Sequence, residues 1–237
     1  MTVKSSIDEH ELSKFNKTTE EWWDLNGEFK LLHEINPLRI EYIISKINDA
    51  GLSLKEAKII DVGSGGGLIC SPLSRLGADV TGIDANEYNT KAAAGYAQDN
   101  DLNIKYLNKT VEEYVASKEQ YDVVLCLEVI EHVANPAEFV SNVAKLVAPG
   151  GILIFSTINR TAKSYALTIM MAEYVLGWVP KGTHDHSKFI KPSEFNNMLE
   201  NSEMKLAELK GMSLSLASNQ WYLSDDIDVN YFAVFKA

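Results

Sequence analysis

Three observations predict an α/β protein built on a doubly wound, mostly parallel sheet. Short apolar, β-branched runs alternate with helical periodicities from residue 58 to 157. A glycine-rich turn stands where the first of those runs should pass into the first helix. Asp84 closes the second run 23 residues after Asp61, about the span of one strand–helix–strand unit. Alternation of this kind gives right-handed crossovers and a sheet covered by helices on both faces, a Rossmann-like arrangement.

Residues 8–50 read as N-terminal helices: Trp22, Trp23, Leu25 and Phe29 recur at helical spacings, and Asn36-Pro37 marks the start of another helix. Strands follow at 58–63, 79–84, 104–107, 121–127 and 151–157, with helices at 68–76, 89–98 and 136–147 between them. After Thr157 the alternation stops, and residues 160–191 form an inserted segment with an apolar middle. A closing helix with Ser193 as its cap and two strands, at 204–209 and 229–235, complete a single domain over 1–237.

The chain has 237 residues, 46% of them hydrophobic, and a net charge of −11. The length suits one sizeable core, and the acidic balance argues against a nucleic-acid partner, which needs a positive face. Cys70 and Cys126 lie in apolar runs and cannot form a disulfide framework, which suits a reducing, cytosolic setting. The first residues carry no secretory signal, and no stretch reaches the roughly 18–20 apolar residues that span a bilayer.

The turn reads Asp61-Val62-Gly63-Ser64-Gly65-Gly66-Gly67. It is neither the dinucleotide fingerprint, whose last glycine would fall on Leu68 or Cys70, nor a phosphate loop ending in lysine and serine or threonine. What remains lets the backbone approach a ligand closely and places Asp61 to meet an ammonium rather than a pyrophosphate. Asp84, at the end of the second strand, can accept both hydroxyls of a ribose.

A second cluster follows the fourth strand, at the edge where such folds bind ligands. Glu128, Glu131 and His132 stand at i, i+3 and i+4 and share one face if the chain is helical there. Two carboxylates and an imidazole can hold a divalent cation or supply a general base, and the residues alone leave both readings open beside a purely structural one.

The glycine loop, Asp84 and the Ala148-Pro149-Gly150-Gly151 turn before the fifth strand resemble the class I S-adenosylmethionine-dependent methyltransferases. Residues 32–39, 155–160, 179–185, 188–192 and 228–231 extend the resemblance, over nearly the whole chain, to the ubiquinone-biosynthesis O-methyltransferase family. Ser64 departs from it where cysteine is common. The resemblance implies an antiparallel last strand and a methyl donor, S-adenosylmethionine, contacted by Arg39, Asp61, Gly63, Gly65, Asp84 and Leu127, with Val111 among Thr110-Val111-Glu112 on the adenine side. It implies Glu128, Glu131 and His132 as catalytic residues and as ligands of Mg²⁺. The substrates it implies are polyprenylated phenols and quinols, 2-polyprenyl-6-hydroxyphenol and 3-demethylubiquinol, with a place in a ubiquinone-biosynthesis complex.

Residues 160–191 carry five basic and two acidic side chains, against a strongly acidic remainder. An apolar run from Tyr165 to Trp178 flanked by lysines reads equally as an interfacial helix or as a buried lid. The prenylated substrate favours the first, a reversible contact with the inner face of a membrane. Other classes remain in view: a methyltransferase of a soluble molecule, a non-catalytic lipid-binding scaffold and, weakest, a nicotinamide oxidoreductase.

Overall fold

The computed structural model describes residues 22–175, 182, 185–215 and 217–237, with the backbone alone for 171–175. Helix α1 (Lys30–Asp49) precedes β1 (Lys58–Val62), α2 (Cys70–Arg75), β2 (Asp79–Asp84), α3 (Glu87–Asp99) and β3 (Ile104–Asn108). A single-turn helix α4 (Val111–Tyr114), β4 (Tyr121–Leu127), α5 (Pro136–Ala144) and β5 (Val147–Ile158) follow. Beyond them, α6 (Ala162–Ser164) continues as a π-helix (Tyr165–Val175), and α7 (Pro192–Leu199), β6 (Lys205–Ser215), β7 (Gln220–Ser224) and β8 (Asn230–Lys236) close the chain.

The eight strands form one sheet in the order β3-β2-β1-β4-β5-β8-β6-β7. The five N-terminal strands are parallel, while β8 pairs antiparallel with both β5 and β6. The strand order therefore reverses between β1 and β4, and the crevice at the carboxyl ends of these strands is where such sheets bind ligands. Alternate residues of the central strands feed two cores. Ile60, Val62, Val124, Cys126 and Phe155 meet α5 and α7 through Phe139, Val143, Phe195 and Leu199. Ile59, Val123, Leu125 and Ile154 meet α1 and α2 through Tyr42, Ile43, Ile47 and Leu73 on the other face. Each such side chain, when fully buried, contributes about 1.5–3 kcal/mol.

Several expectations are corrected. Helix α1 runs through Pro37 rather than restarting there. One lost backbone bond is outweighed by a buried face of Ile35, Arg39, Tyr42, Ile43 and Ile47. Residues 22–29 are turns, not helix, and 8–21 lie outside the described residues. Helix α7 begins at Pro192, and Glu194 reaches back to the Lys191 N–H, so Ser193 is inside the helix and not its cap. Three strands, not two, follow it, because β7 forms a hairpin with β6 at the sheet edge. Both cysteines are buried and free.

Candidate functional site

The glycine loop leaves β1 at the switch point. Gly63 turns with φ +79°, a conformation that L side chains rarely adopt, and a Cβ there would also collide with Val129. The N–H groups of Gly63 and Ser64 both donate to the carbonyl of Ile83, at 2.8 and 3.0 Å, which ties the loop to the end of β2. Asp84, the last residue of β2, closes the frame: its Oδ2 accepts the Gly65 N–H at 2.9 Å. Its Oδ1 accepts the Asn86 N–H at 2.8 Å and the Asn89 side-chain amide at 3.4 Å. Burial pushes the Asp84 carboxyl above the usual aspartate range, and those donors pull the other way.

Asp61 is 3% exposed and accepts the Cys70 thiol at 3.4 Å. Burial, with the charge of Asp84 nearby, pushes its carboxyl up to about 7, while Cys70 and Arg39 oppose the rise. A cationic group brought in by a ligand would offset such a buried carboxylate. Val111 opens α4 just beyond β3 and is buried; beside it Glu112, also buried, has both carboxylate oxygens without a hydrogen-bond partner. Two unpaired acceptors beyond the carboxyl end of β3 suit an exocyclic amine. Leu127 ends β4 on the other side of the switch point.

The acidic cluster departs from its expected form. Glu128 has φ +55°, so the chain is left-handed there, and only Ile130–His132 form a short 3₁₀ turn. Glu128, Glu131 and His132 therefore do not lie along one helical face. Glu128 instead turns towards helix α1, where Arg39 Nη2 lies 2.9 Å from its Oε1, and it also accepts the Ser156 hydroxyl at 2.7 Å. Glu131 accepts the Thr157 hydroxyl at 3.0 Å and is 4% exposed. Burial first, then the charge of Glu128, push the Glu131 carboxyl up to about 7, with His132 pulling it down. Among the described residues no three of His, Cys, Asp and Glu converge closely enough to hold a metal ion. Arg39 pairs with the half-buried Glu128, while the buried Glu131 has only the Thr157 hydroxyl as a side-chain hydrogen-bond partner and feels the charge of Glu128.

The fold thus bonds Gly65 directly to Asp84 and Gly63 to the neighbouring Ile83, and joins Arg39 to Glu128 rather than to the loop. Ser156, Thr157 and Asn89 had no expected role. The signal for the first two was a pair of hydroxyl residues ending an apolar strand; for Asn89 it was a buried amide in the first turn after Asp84. The insertion is helical as far as residue 175. Tyr165, Leu167 and Met170 are 45%, 45% and 48% exposed, while Arg160 pairs with Glu194 and Lys163 with Asp226 and Asp228. Part of the positive charge read from the sequence is therefore neutralised in place. Residues 176–181, with Trp178, lie outside the described residues, and no described helix is long and apolar enough to cross a membrane.

A methyltransferase domain family matches residues 32–209. The ubiquinone biosynthesis O-methyltransferase of Rickettsia akari (strain Hartford) is 54% identical over 229 residues, 96% of this chain and 91% of that protein. That of Rickettsia bellii (strain OSU 85-389) is 52% identical over 233 residues, 98% and 97% of the two chains. In structure, the magnesium protoporphyrin IX methyltransferase of Synechocystis PCC 6803 with bound SAH aligns with a TM-score of 0.67 at 19% identity, over 94% of each chain. A SAM-dependent methyltransferase from Aquifex aeolicus aligns at 0.60 and 13%, over 95% and 97%. The fold is that of the class I SAM-dependent methyltransferases.

Proposed function

The chain belongs to the ubiquinone biosynthesis O-methyltransferases, and from that premise we propose how its residues divide the work of methyl transfer. S-adenosylmethionine binds along the glycine loop, with Asp84 accepting the ribose hydroxyls, Asp61 facing the amino-acid ammonium and Glu112 beside Val111 taking the adenine amine. The observation that carries this reading is the bond between Asp84 Oδ2 and the Gly65 N–H. It ties the sugar-binding carboxylate and the loop into one frame, and the three donors on Asp84 leave about one of its four lone-pair sites, on Oδ2, for the ligand.

The acceptor is a phenolic hydroxyl of a polyprenylated catechol-type ring held beside Glu128 and Glu131. A phenol titrates near pH 10, so its attack on the sulfonium methyl at neutral pH needs help. A carboxylate brought to about 7 by burial is matched to that task. Glu131 takes the proton, the phenolic oxygen forms its bond to the methyl carbon, the carbon–sulfur bond breaks, and S-adenosylhomocysteine leaves. Thr157 orients Glu131, and Arg39 with Ser156 holds Glu128. The remainder of the rate comes from in-line placement of oxygen, methyl and sulfur.

A second reading is favoured by the proximity of Glu128 and Glu131, whose charges act on one another: Mg²⁺, which needs only one or two protein carboxylates beside water and substrate oxygens, would be held by this pair. A bound cation would supply the positive charge that stabilises two adjacent phenolic oxygens. Magnesium calorimetry on the wild type and on Glu128→Gln/Glu131→Gln tests it, with heat expected only from the wild type. The exposed Tyr165, Leu167 and Met170 support reversible contact with a membrane surface, where a prenylated ring resides.

Calorimetric titration with S-adenosylmethionine tests the donor site. Saturable binding by the wild type and its loss in Asp84→Ala are expected; equal binding by both would refute it.

A further inference from the structure

Residues 22–29 cross over the glycine loop as a strap with two indole anchors. Trp22 is 7% exposed and stacks on Phe29, with ring centroids 3.7 Å apart. Its carbonyl accepts from His33 Nε2 at 2.8 Å, which fixes the strap to the first turns of α1. Trp23 stacks on Tyr96 of α3 at 3.3 Å, and its indole N–H donates to the Gly66 carbonyl at 3.1 Å. The strap is thus pinned at α1, at α3 and on the loop itself.

Trp22 touches both halves of the donor frame. Its ring lies against Gly65, where a Cβ would come within 2.7 Å of the indole rim. At Gly66 a Cβ would stand 2.6 Å from both Cβ and Cδ2 of Trp22, the rigid base of the side chain. Gly66 is not among the residues in the left-handed region, so its backbone does not demand glycine. The three nearest atoms to a Cβ there all belong to Trp22. Glycine at 66 is therefore explained by the strap. On its other edge, Trp22 Nε1 donates to Asn89 Oδ1 at 3.1 Å, and Asn89 Nδ2 donates to Asp84 Oδ1 at 3.4 Å. One indole thus backs the loop and orients the amide that orients Asp84.

We propose that Trp22 is a positioning residue for the methyl donor, holding the glycine loop and Asp84 in register through Gly66 and Asn89. The inference rests on the donor site argued above and adds the strap as part of it. Its consequence is a coupling between positions 22 and 66 that a purely structural residue far from the loop would lack.

The test is a double-mutant cycle on the full chain, read by calorimetric Kd and steady-state kinetics for S-adenosylmethionine. Gly66→Ala and Trp22→Ala should each weaken donor binding about tenfold, the equivalent of about 1.4 kcal/mol. Gly66→Ala should cost clearly less in the Trp22→Ala background, because two of the three atoms it strikes, Cγ and Cδ2, are gone and only the Trp22 Cβ remains. KM for the phenolic acceptor should stay near the wild-type value. Trp22→Phe, which keeps a ring on the loop but loses the donor to Asn89, should recover part of the affinity and folds even if Trp22→Ala does not. Additive losses, tighter donor binding in Trp22→Ala, or a Trp22→Phe variant no better than alanine would overturn the proposal. A wild type that binds no S-adenosylmethionine would remove the donor site itself, and the strap's role with it.

Discussion

Arg39 Nη2 and Glu128 Oε1 lie 2.9 Å apart and join helix α1 to the segment after β4. The guanidinium is buried and its Nε has no hydrogen-bond partner, so Glu128 is the principal compensation for its charge. Arg39 also lies close enough to Asp61 to oppose the rise of that carboxyl. One cation therefore acts on both Asp61, beside the glycine loop, and Glu128, after β4. Arg39→Ala should destabilise the fold by up to about 3–5 kcal/mol, less in proportion to the water that reaches Glu128. Arg39→Ala/Glu128→Gln should be more stable than Arg39→Ala alone, because the carboxylate that Arg39 compensated is gone. Denaturant unfolding of the three proteins measures both effects.

Asp61 makes stability depend on pH in a direction opposite to a salt-bridged aspartate. Its carboxyl titrates near 7 in the fold, against an ordinary value of 3.8. Between those values the folded chain keeps a proton that the unfolded chain has lost, so this group's contribution falls as pH rises through the window. Above about pH 7 the full penalty of a buried charge is present. Asp61→Asn should therefore gain stability over the wild type at pH 8, by a few kcal/mol, and lose that advantage towards pH 4. Paired melting curves across this range check the sign.

The same group links donor binding to protons. An ammonium beside Asp61 favours the carboxylate, so binding below pH 7 should release a proton and weaken as pH falls. Calorimetry in buffers of different ionisation enthalpy should detect that release in the wild type and not in Asp61→Asn.

Glu112 offers a test of the adenine end. Its two unpartnered oxygens would accept from the adenine amine, which an inosine analogue lacks. S-adenosylhomocysteine should inhibit the wild type about tenfold more tightly than S-inosylhomocysteine, a difference typical of one bond to a charged group. Glu112→Ala should bring the two inhibition constants together.

The helix after β5 offers a different surface. Leu167 and Met170 are each about half exposed, and burying the remainder of either in an interface would contribute about 0.7–1.5 kcal/mol. Leu167→Glu/Met170→Glu should reduce co-sedimentation with anionic vesicles at least about tenfold while leaving donor binding unchanged. Equal sedimentation would contradict the membrane contact.

The sequence made the sheet legible where burial is simple. Strand β4 runs from Tyr121 to Leu127 as its apolar run implied, and Asp84 ends β2 as its position implied. Strand β7 was hidden because it is short and half-exposed at the sheet edge, so its residues carry no strong alternation. The continuity of α1 through Pro37 was hidden because the face holding it is set by the sheet it packs on. At the site, the glycine loop was readable as a local pattern. The left-handed Glu128 was not, since its turn is imposed by partners 28 residues ahead at Ser156 and far behind at Arg39. Trp22 and Asn89 lie 67 residues apart, and nothing local marks their bond.

The proposed roles of Asp84 and Glu131 converge on one reaction, transfer of the methyl of S-adenosylmethionine to a phenolic oxygen. Its most direct test is product analysis after incubation of the wild type, methyl-labelled S-adenosylmethionine and a short-tailed 3-demethylubiquinol. Label in a new methoxy group, one S-adenosylhomocysteine per methyl transferred, and rates falling by about 10²–10⁴ in Glu131→Gln with donor affinity preserved are expected. Label on a ring carbon, or none in the acceptor while the donor is bound, would contradict it.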